Sequence, residues 1–182
     1  AGNSRYNVEI MSFLKERGAI ENNDDIDYNE KLIKNVAAMR NALSMRINNF
    51  YEYKVDYEEG EKYTWEEKLL VVKTLLNNGI MLSSNYDAAK IDKMILCNGE
   101  EVYYRMGDGY EGYHAGVIVG YDDNIAIDVN GDGDYQDAEK GAFKIVDSWG
   151  TNAHNGKGYF WVLYDAVINS KSDIESLAPK LN

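Results

Sequence analysis

The way hydrophobic spacing changes along these 182 residues predicts an α+β fold. Two stretches carry apolar residues at helical spacing, one before residue 43 and one around Leu69–Leu76. After residue 100, short runs rich in Val, Ile, Tyr and Phe alternate with glycine clusters, the pattern of paired strands. The helical part spans about 1–43, the β-rich part about 44–168, and a polar tail 169–182. Repeats and low-complexity segments are absent, and a single proline leaves few rigid linkers, so the reading is one domain over 1–182.

Each element has a local reason. Asn7–Arg17 sets Ile10, Met11 and Leu14 on one helical face, and Gly18 is a natural stop. From Asn29, the residues Leu32, Val36, Met39 and Leu43 recur at helical spacing. "SMRINNFYEYKV" then alternates at Met45 and Ile47 and is aromatic-rich, which reads as a strand. Asp56–Glu61 reads as an acidic turn. Thr64 is placed to cap a helix with Glu66 and Glu67 in its first turn. Leu69, Val72, Leu75 and Leu76 form its buried stripe, and Asn77-Asn78-Gly79 ends it. Ile80–Leu82 opens a short strand. Four more strands are read at "EEVYYRM", "HAGVIVGY", "GAFKIVDSW" and "GYFWVLY", with a glycine-rich loop over Gly107–Gly112.

Composition excludes several function classes. A net charge of −12 disfavours nucleic acid or an anionic membrane as a partner. No apolar run approaches the roughly 20 residues that span a bilayer. The single cysteine, Cys97, has no internal disulfide partner. The chain carries no signal peptide and begins at Ala1, which reads as a cut or processed end.

"DVNGDGDYQDAE", Asp128–Glu139, satisfies D-x-[DN]-x-[DN]-G-x5-E. Asp128, Asn130 and Asp132 fill the first three ligand positions, Gly133 the turn, and Glu139 the final carboxylate. A hard cation takes several oxygens in a small sphere, so the loop predicts Ca2+, with the Asp134 carbonyl completing the set and Gln136 a further candidate. A metal-free acidic hairpin tip is the plainer alternative. The strand after Glu139 sets the loop apart from a full EF-hand, and a single copy argues against a dockerin-like module.

His114 opens one strand, and Asp147 closes the next, just before "SWG". If those strands pair, a carboxylate meets an imidazole at one end of the sheet. That contact would fix the tautomer and leave the other nitrogen for proton transfer. Trp149 is placed to shield the contact. Spacing alone favours a structural or surface histidine.

"GYHAGVIVGYDD" followed by "GAFKIVDSWGTNAHNGKGYFWVLYDA" resembles the C-terminal half of the papain-like (C1A) cysteine peptidases. That family carries a His-Ala pair leading into a V-G-Y strand, then N-S-W-G-T, a glycine-rich turn and a G-Y-F/I-W strand. The calcium-type loop between the strands is similar to an insertion of bacterial members. Upstream, "AGNS", a helix, Gly18 and "ENNDDIDY" resemble the bacterial G-G-N-S segment, helix and D-D-x-P-Y stretch. "VVKTLLNNGIMLSS" resembles the helix and strand ahead of the catalytic histidine.

The resemblance implies a papain-like fold in which His114 is the general base, Asp147 stands for the orienting asparagine, and Trp149 covers the pair. Gly2 would lie beside the extended substrate peptide. Two departures stand out. Asp147 replaces an amide, and a carboxylate favours the imidazolium more strongly, so an altered pH profile is expected. The Q-x-x-C-type segment that opens the family's long helix is absent, and with it the nucleophile and the oxyanion-hole glutamine.

Cys97, in "ILCNGEE", has no helix-opening context and reads as a strand or loop thiol. His154 reads as a surface loop histidine, and Tyr159 and Trp161 as core. The chain is therefore expected to be the greater part of a secreted, Ca2+-bearing bacterial peptidase, inactive without a segment that supplies cysteine. The alternatives are a non-catalytic homologue acting as a binding or adhesion module, and a Ca2+-dependent interaction domain.

Overall fold

The computed structural model describes residues 11–19, 36–50, 63–87, 91–105 and 113–168. The chain divides after Glu52 into two compact units.

In the first unit, helix α1 covers 11–17 and helix α2 covers Val36–Ala42. Gly18 ends α1 in the left-handed region, φ 77°, and its amide donates to Leu14 O at 3.0 Å. A Cβ at Gly18 would fall 1.6 Å from the Ala42 carbonyl oxygen, so this glycine is what lets α1 end against α2. Lys15 Nζ also reaches Asn49 Oδ1, at 3.0 Å. Over the described residues both helices fall within the stretches that apolar spacing predicts, but the expected face of α2 does not bury. Ala42 is buried, whereas Val36, Met39 and Leu43 are exposed.

The strand expected from Met45 does not form over 45–50. Met45 belongs to a 3-10 turn, Leu43–Met45, and Arg46 bonds back to the Leu43 carbonyl. Met45 is 54% exposed, so its alternation with Ile47 gains nothing from pairing there. The remainder of that stretch, the acidic turn at 56–61, the loop at 107–112 and the tail after Asn169 lie outside the described residues, as does Gly2.

The second unit opens with helix α3, Trp65–Asn77. Thr64 accepts from the Glu67 amide at 3.2 Å while the Glu67 carboxylate accepts from the Thr64 amide at 2.7 Å. This reciprocal box satisfies two amides that the first helical turn leaves without partners, worth about 1 kcal/mol. Val72 is buried in the core, with Leu69, Leu75 and Leu76 packed around it.

Six strands follow among the described residues: β1 Leu82–Asp87, β2 Asp92–Ile95, β3 Glu101–Arg105, β4 Tyr113–Ala126, β5 Lys140–Asp147 and β6 Phe160–Leu163. They form one sheet in the order β1-β4-β5-β6-β3-β2. The sheet is mixed rather than purely antiparallel, because β3 runs parallel to β6. Strand β6 is buried along its whole length, and Phe143, Phe160, Ile118, Ile145 and Val162 are fully enclosed. Apolar alternation along β5 turns Phe143 and Ile145 to the core, and Asp147 shares their parity. On β4, Ile118 faces the core and His114 shares its parity. Two ionisable side chains therefore sit on the core face, at the end of the sheet where β4 starts and β5 stops.

The run "GYFWVLY" ends sooner than its composition predicts. Tyr164 begins helix α4, Tyr164–Ile168, whose Tyr164, Ala166, Val167 and Ile168 are all buried. The Tyr164 hydroxyl donates to Asp123 Oδ1 at 2.8 Å, and its ring tilts against Phe143 at 4.6 Å. Gly141 makes room for that ring. It holds φ 75°, and a Cβ there would fall 2.0 Å from Tyr164 Cε2. Gly141→Ala is expected to cost about 2–4 kcal/mol, the sum of a left-handed penalty and overpacking. Urea unfolding checks this through a lowered midpoint at an unchanged slope.

Candidate functional site

Strands β4 and β5 pair antiparallel, with Gly116 opposite Asp147. His114 thus lies two residues along β4 from the Asp147 partner, on the same face. Its Nε2 is 3.8 Å from Asp147 Oδ2, within ion-pair reach and longer than a hydrogen bond. The Asp147 side chain is 1% exposed and that of His114 20%. The other carboxylate oxygen, Oδ1, accepts the Trp149 amide at 2.9 Å, which turns the chain so that the indole returns over the site. That ring stacks on His114 with centroids 4.6 Å apart and planes 26° apart, while itself 52% exposed. His114, Asp147 and Trp149 are therefore brought together.

The closest imidazole to Asp147 is nevertheless His154. Its Nε2 is 2.9 Å from Asp147 Oδ2, and its Nδ1 is 3.2 Å from Glu101 Oε2. The side chain is 3% exposed, so the reading of His154 as a surface loop histidine is wrong. The polar, glycine-rich turn around it is exposed in sequence character, but His154 and Asn155 both adopt left-handed backbone, φ 52° and 57°. That backbone turns the ring inward, against Phe160 at 4.6 Å and beneath Trp149 at 5.5 Å.

Glu101, at the start of β3, completes a second carboxylate centre that sequence reasoning missed. Lys93 Nζ donates to Oε1 at 2.7 Å, and the Tyr103 hydroxyl donates to Oε2 at 3.1 Å. Tyr103 Oη is also 3.3 Å from His154 Nδ1, and its ring stacks on Phe160 at 4.4 Å. Burial pushes the Glu101 carboxyl up, but the bonds from Lys93, His154 and Tyr103 outweigh it and hold it below the ordinary 4.5. Burial, with the Glu101 charge added, raises the Tyr103 hydroxyl far above its ordinary value, so it stays a neutral donor. The available clue was a glutamate sharing the parity of Tyr103 in a short strand whose middle residues, 102–104, are apolar or aromatic.

Cys97 is exposed, in the turn joining β2 to β3. Tyr159 and Trp161, expected in the core, are half-buried and buried respectively. Both donate to Glu100, Trp161 Nε1 at 2.8 Å.

The acidic loop Asp128–Glu139 is organised by its own backbone. Asp128 accepts from the amides of Gly131, Asp132 and Gly133 at 2.7, 3.1 and 2.9 Å. Asn130 Oδ1 accepts from the Asp132 amide, and Asp132 Oδ1 from the Asp134 amide, both at 2.9 Å. Glu139 is buried and caps the amides of Val129 and Gln136 at 2.8 and 3.0 Å. Oxygen donors of the kind a hard cation takes are present at each ligand position of the motif. Their oxygens are turned to amides, however, and among the described residues no three His, Cys, Asp or Glu side chains gather as a metal-binding cluster.

No protein-family model matches the sequence. No curated protein matches it either. Among solved structures the chain is similar to the cysteine protease and lectin-like domains of Cwp84, a surface layer associated protein of Clostridium difficile. Identity is 23% and the TM-score is 0.42, over 87% of this chain and 32% of that one. The present chain thus spans about a third of the length of that structure.

A carboxylate held below its ordinary value contributes stability above 4.5 that is lost as pH falls through the depressed value. Below that point Glu101 no longer accepts from its three donors as an anion. The melting temperature is expected to fall steeply on acidification below pH 4.5. Glu101→Gln should melt lower at neutral pH and show a shallower acid slope. Subtracting its profile from that of the parent isolates Glu101 from Glu100 and Asp123, which are held low in the same sense.

Proposed function

We propose that this chain is the histidine-bearing portion of a papain-like cysteine peptidase, acting on peptide or protein substrates outside the cell. One observation carries the reading: His114 faces a buried carboxylate on the neighbouring strand beneath a stacked indole. The sequence resemblance around "GYHAGVIVGY" and "DSWG" supports the same residues in the same roles.

In that chemistry Asp147 orients the His114 ring through Nε2, and proton transfer runs through Nδ1. The thiol of a cysteine gives its proton to His114, and the thiolate attacks the peptide carbonyl. The imidazolium then protonates the leaving amine, and water hydrolyses the acyl-enzyme with His114 again as base. Trp149 would keep water from the His114–Asp147 contact. Gly2 would line the extended substrate. Cys97, exposed in a strand-joining turn, lacks the helix N-terminus that would favour a thiolate, so the nucleophile would come from a further segment.

A second reading, a non-catalytic homologue serving as a binding or adhesion module, is favoured by the shorter approach of His154 to Asp147. Co-expression with a segment carrying the candidate cysteine separates the two. The peptidase reading expects thiol-blockable hydrolysis of a fluorogenic peptide, lowered about 10²-fold or more in His114→Ala. It also expects a displaced pH–rate profile in Asp147→Asn. Absence of thiol-blockable turnover favours the binding module, and an unchanged Asp147→Asn profile removes Asp147 as the partner.

We also propose that Asp128, Asn130, Asp132, Asp134 and Glu139 hold a structural Ca2+. The motif supports this reading, since it sets an oxygen donor at each ligand position; a cation would replace the amides that the Asp128 and Asp132 oxygens now face. Calorimetric titration should show saturable calcium uptake, reduced in Asp128→Ala. Absence of uptake at millimolar calcium returns the loop to a metal-free acidic turn.

A further inference from the structure

We propose that His154 is a positioning residue, an imidazolium donating from both ring nitrogens that ties Asp147 to Glu101 and cancels the charge Asp147 presents to His114. This rests on the reading of His114 as the base.

Hydrogen bookkeeping at the ring carries the argument. Nε2 meets Asp147 Oδ2 at 2.9 Å, and Nδ1 meets Glu101 Oε2 at 3.2 Å. An ionised carboxylate only accepts, so each nitrogen must bring a hydrogen. Tyr103 does not relieve this requirement. Its hydroxyl hydrogen goes to Glu101, so toward Nδ1 its oxygen is an acceptor too.

Charge counting agrees. The groups in line are Lys93 from β2, Glu101 from β3, His154 from the β5–β6 turn, and Asp147 from β5. With His154 cationic they sum to zero, two positive and two negative. With His154 and His114 both neutral, one negative charge stays uncompensated among side chains 1–5% exposed, which burial strongly opposes; of the two rings His154 makes the shorter contact with Asp147 and also reaches Glu101. The backbone shows how firmly the ring is held. Two consecutive non-glycine residues in left-handed conformation cost on the order of 1 kcal/mol each and persist only where surrounding contacts fix them. Here the ring is bonded on both edges, and Asn155 Nδ2 reaches the Gly99 carbonyl at 3.3 Å.

The consequence falls on His114. It approaches the same oxygen, Asp147 Oδ2, that His154 holds at shorter range. His114 therefore faces one half of a neutral pair. It receives orientation from Asp147 without the full pull of an isolated buried anion.

With only two histidines in the chain, imidazole 15N–1H NMR of the intact protein separates the two rings directly. At pH 7 both nitrogens of His154 should carry slowly exchanging hydrogens. A His154 nitrogen without hydrogen overturns the proposal, and this spectrum decides even if no variant folds. In His154→Gln, the His114 ring should titrate roughly 1 pH unit higher, because Asp147 is then uncompensated. Adding Asp147→Asn to His154→Gln should bring the midpoint back to its starting value, a reversal that a merely structural role does not produce. An unmoved midpoint in His154→Gln overturns the proposal. The spectra are read without any nucleophile present. Expected spectra alongside absent peptidase turnover would therefore remove the peptidase reading while leaving the link between the rings in place.

Discussion

The carboxylate of Asp147 is the constraint around which this end of the molecule is arranged. It closes β5 on the core face, where apolar parity would otherwise call for a hydrophobic residue. One oxygen fixes the turn into Trp149, and the other lies between two imidazoles. A buried charge is tolerable only when its partners are built in with it. The indole lid, the inward His154 and the Glu101 centre on the far side are that accompaniment.

The sheet makes this possible because its central strand is apolar throughout. Strand β6 lies between β5 and β3 and brings Phe160 between the rings of Tyr103 and His154. The polar chain Lys93–Glu101–His154–Asp147 crosses this strand at its entrance without breaking its pairing. Well-packed aromatics on one side keep the ring planes fixed, so hydrogen-bond directions are set by packing as much as by charge.

The sequence made legible whatever was decided locally. Thr64 and Glu67 announce α3 because a capping box needs only neighbours three residues apart. Strands β4 and β5 follow from alternation, and their pairing brings His114 to Asp147. What was not legible depends on distant partners. Helix α4 begins inside a strand-like aromatic run because Tyr164, Val167 and Ile168 bury against a core formed elsewhere. Strand β2 was missed because three of its four residues are exposed and show no alternation to read. Met45 alternates with Ile47 as a strand residue would, but the site is open to water. His154 carries a surface-like signal for a similar reason, since a histidine among Asn, Gly and Lys resembles any surface turn. Its partner Glu101 lies 53 residues away. The calcium-type motif was plain in the sequence, but which atoms its carboxylates face was not.

The parallel pairing of β3 with β6 has a consequence for how the site comes into being. Strands β4 and β5 are consecutive and antiparallel, so their contact needs only a modest loop to close. A parallel pair cannot be joined by a hairpin, and β3 reaches β6 only after the chain has travelled out through β4 and β5 and back. Closing that larger circuit costs more chain entropy and slows the search. The β4–β5 pair carrying His114 and Asp147 and the β2–β3 pair carrying Lys93 and Glu101 each close locally, and the docking of the two through β6 is the long-range step. Until the circuit closes, Asp147 remains a solvated carboxylate at the end of a hairpin.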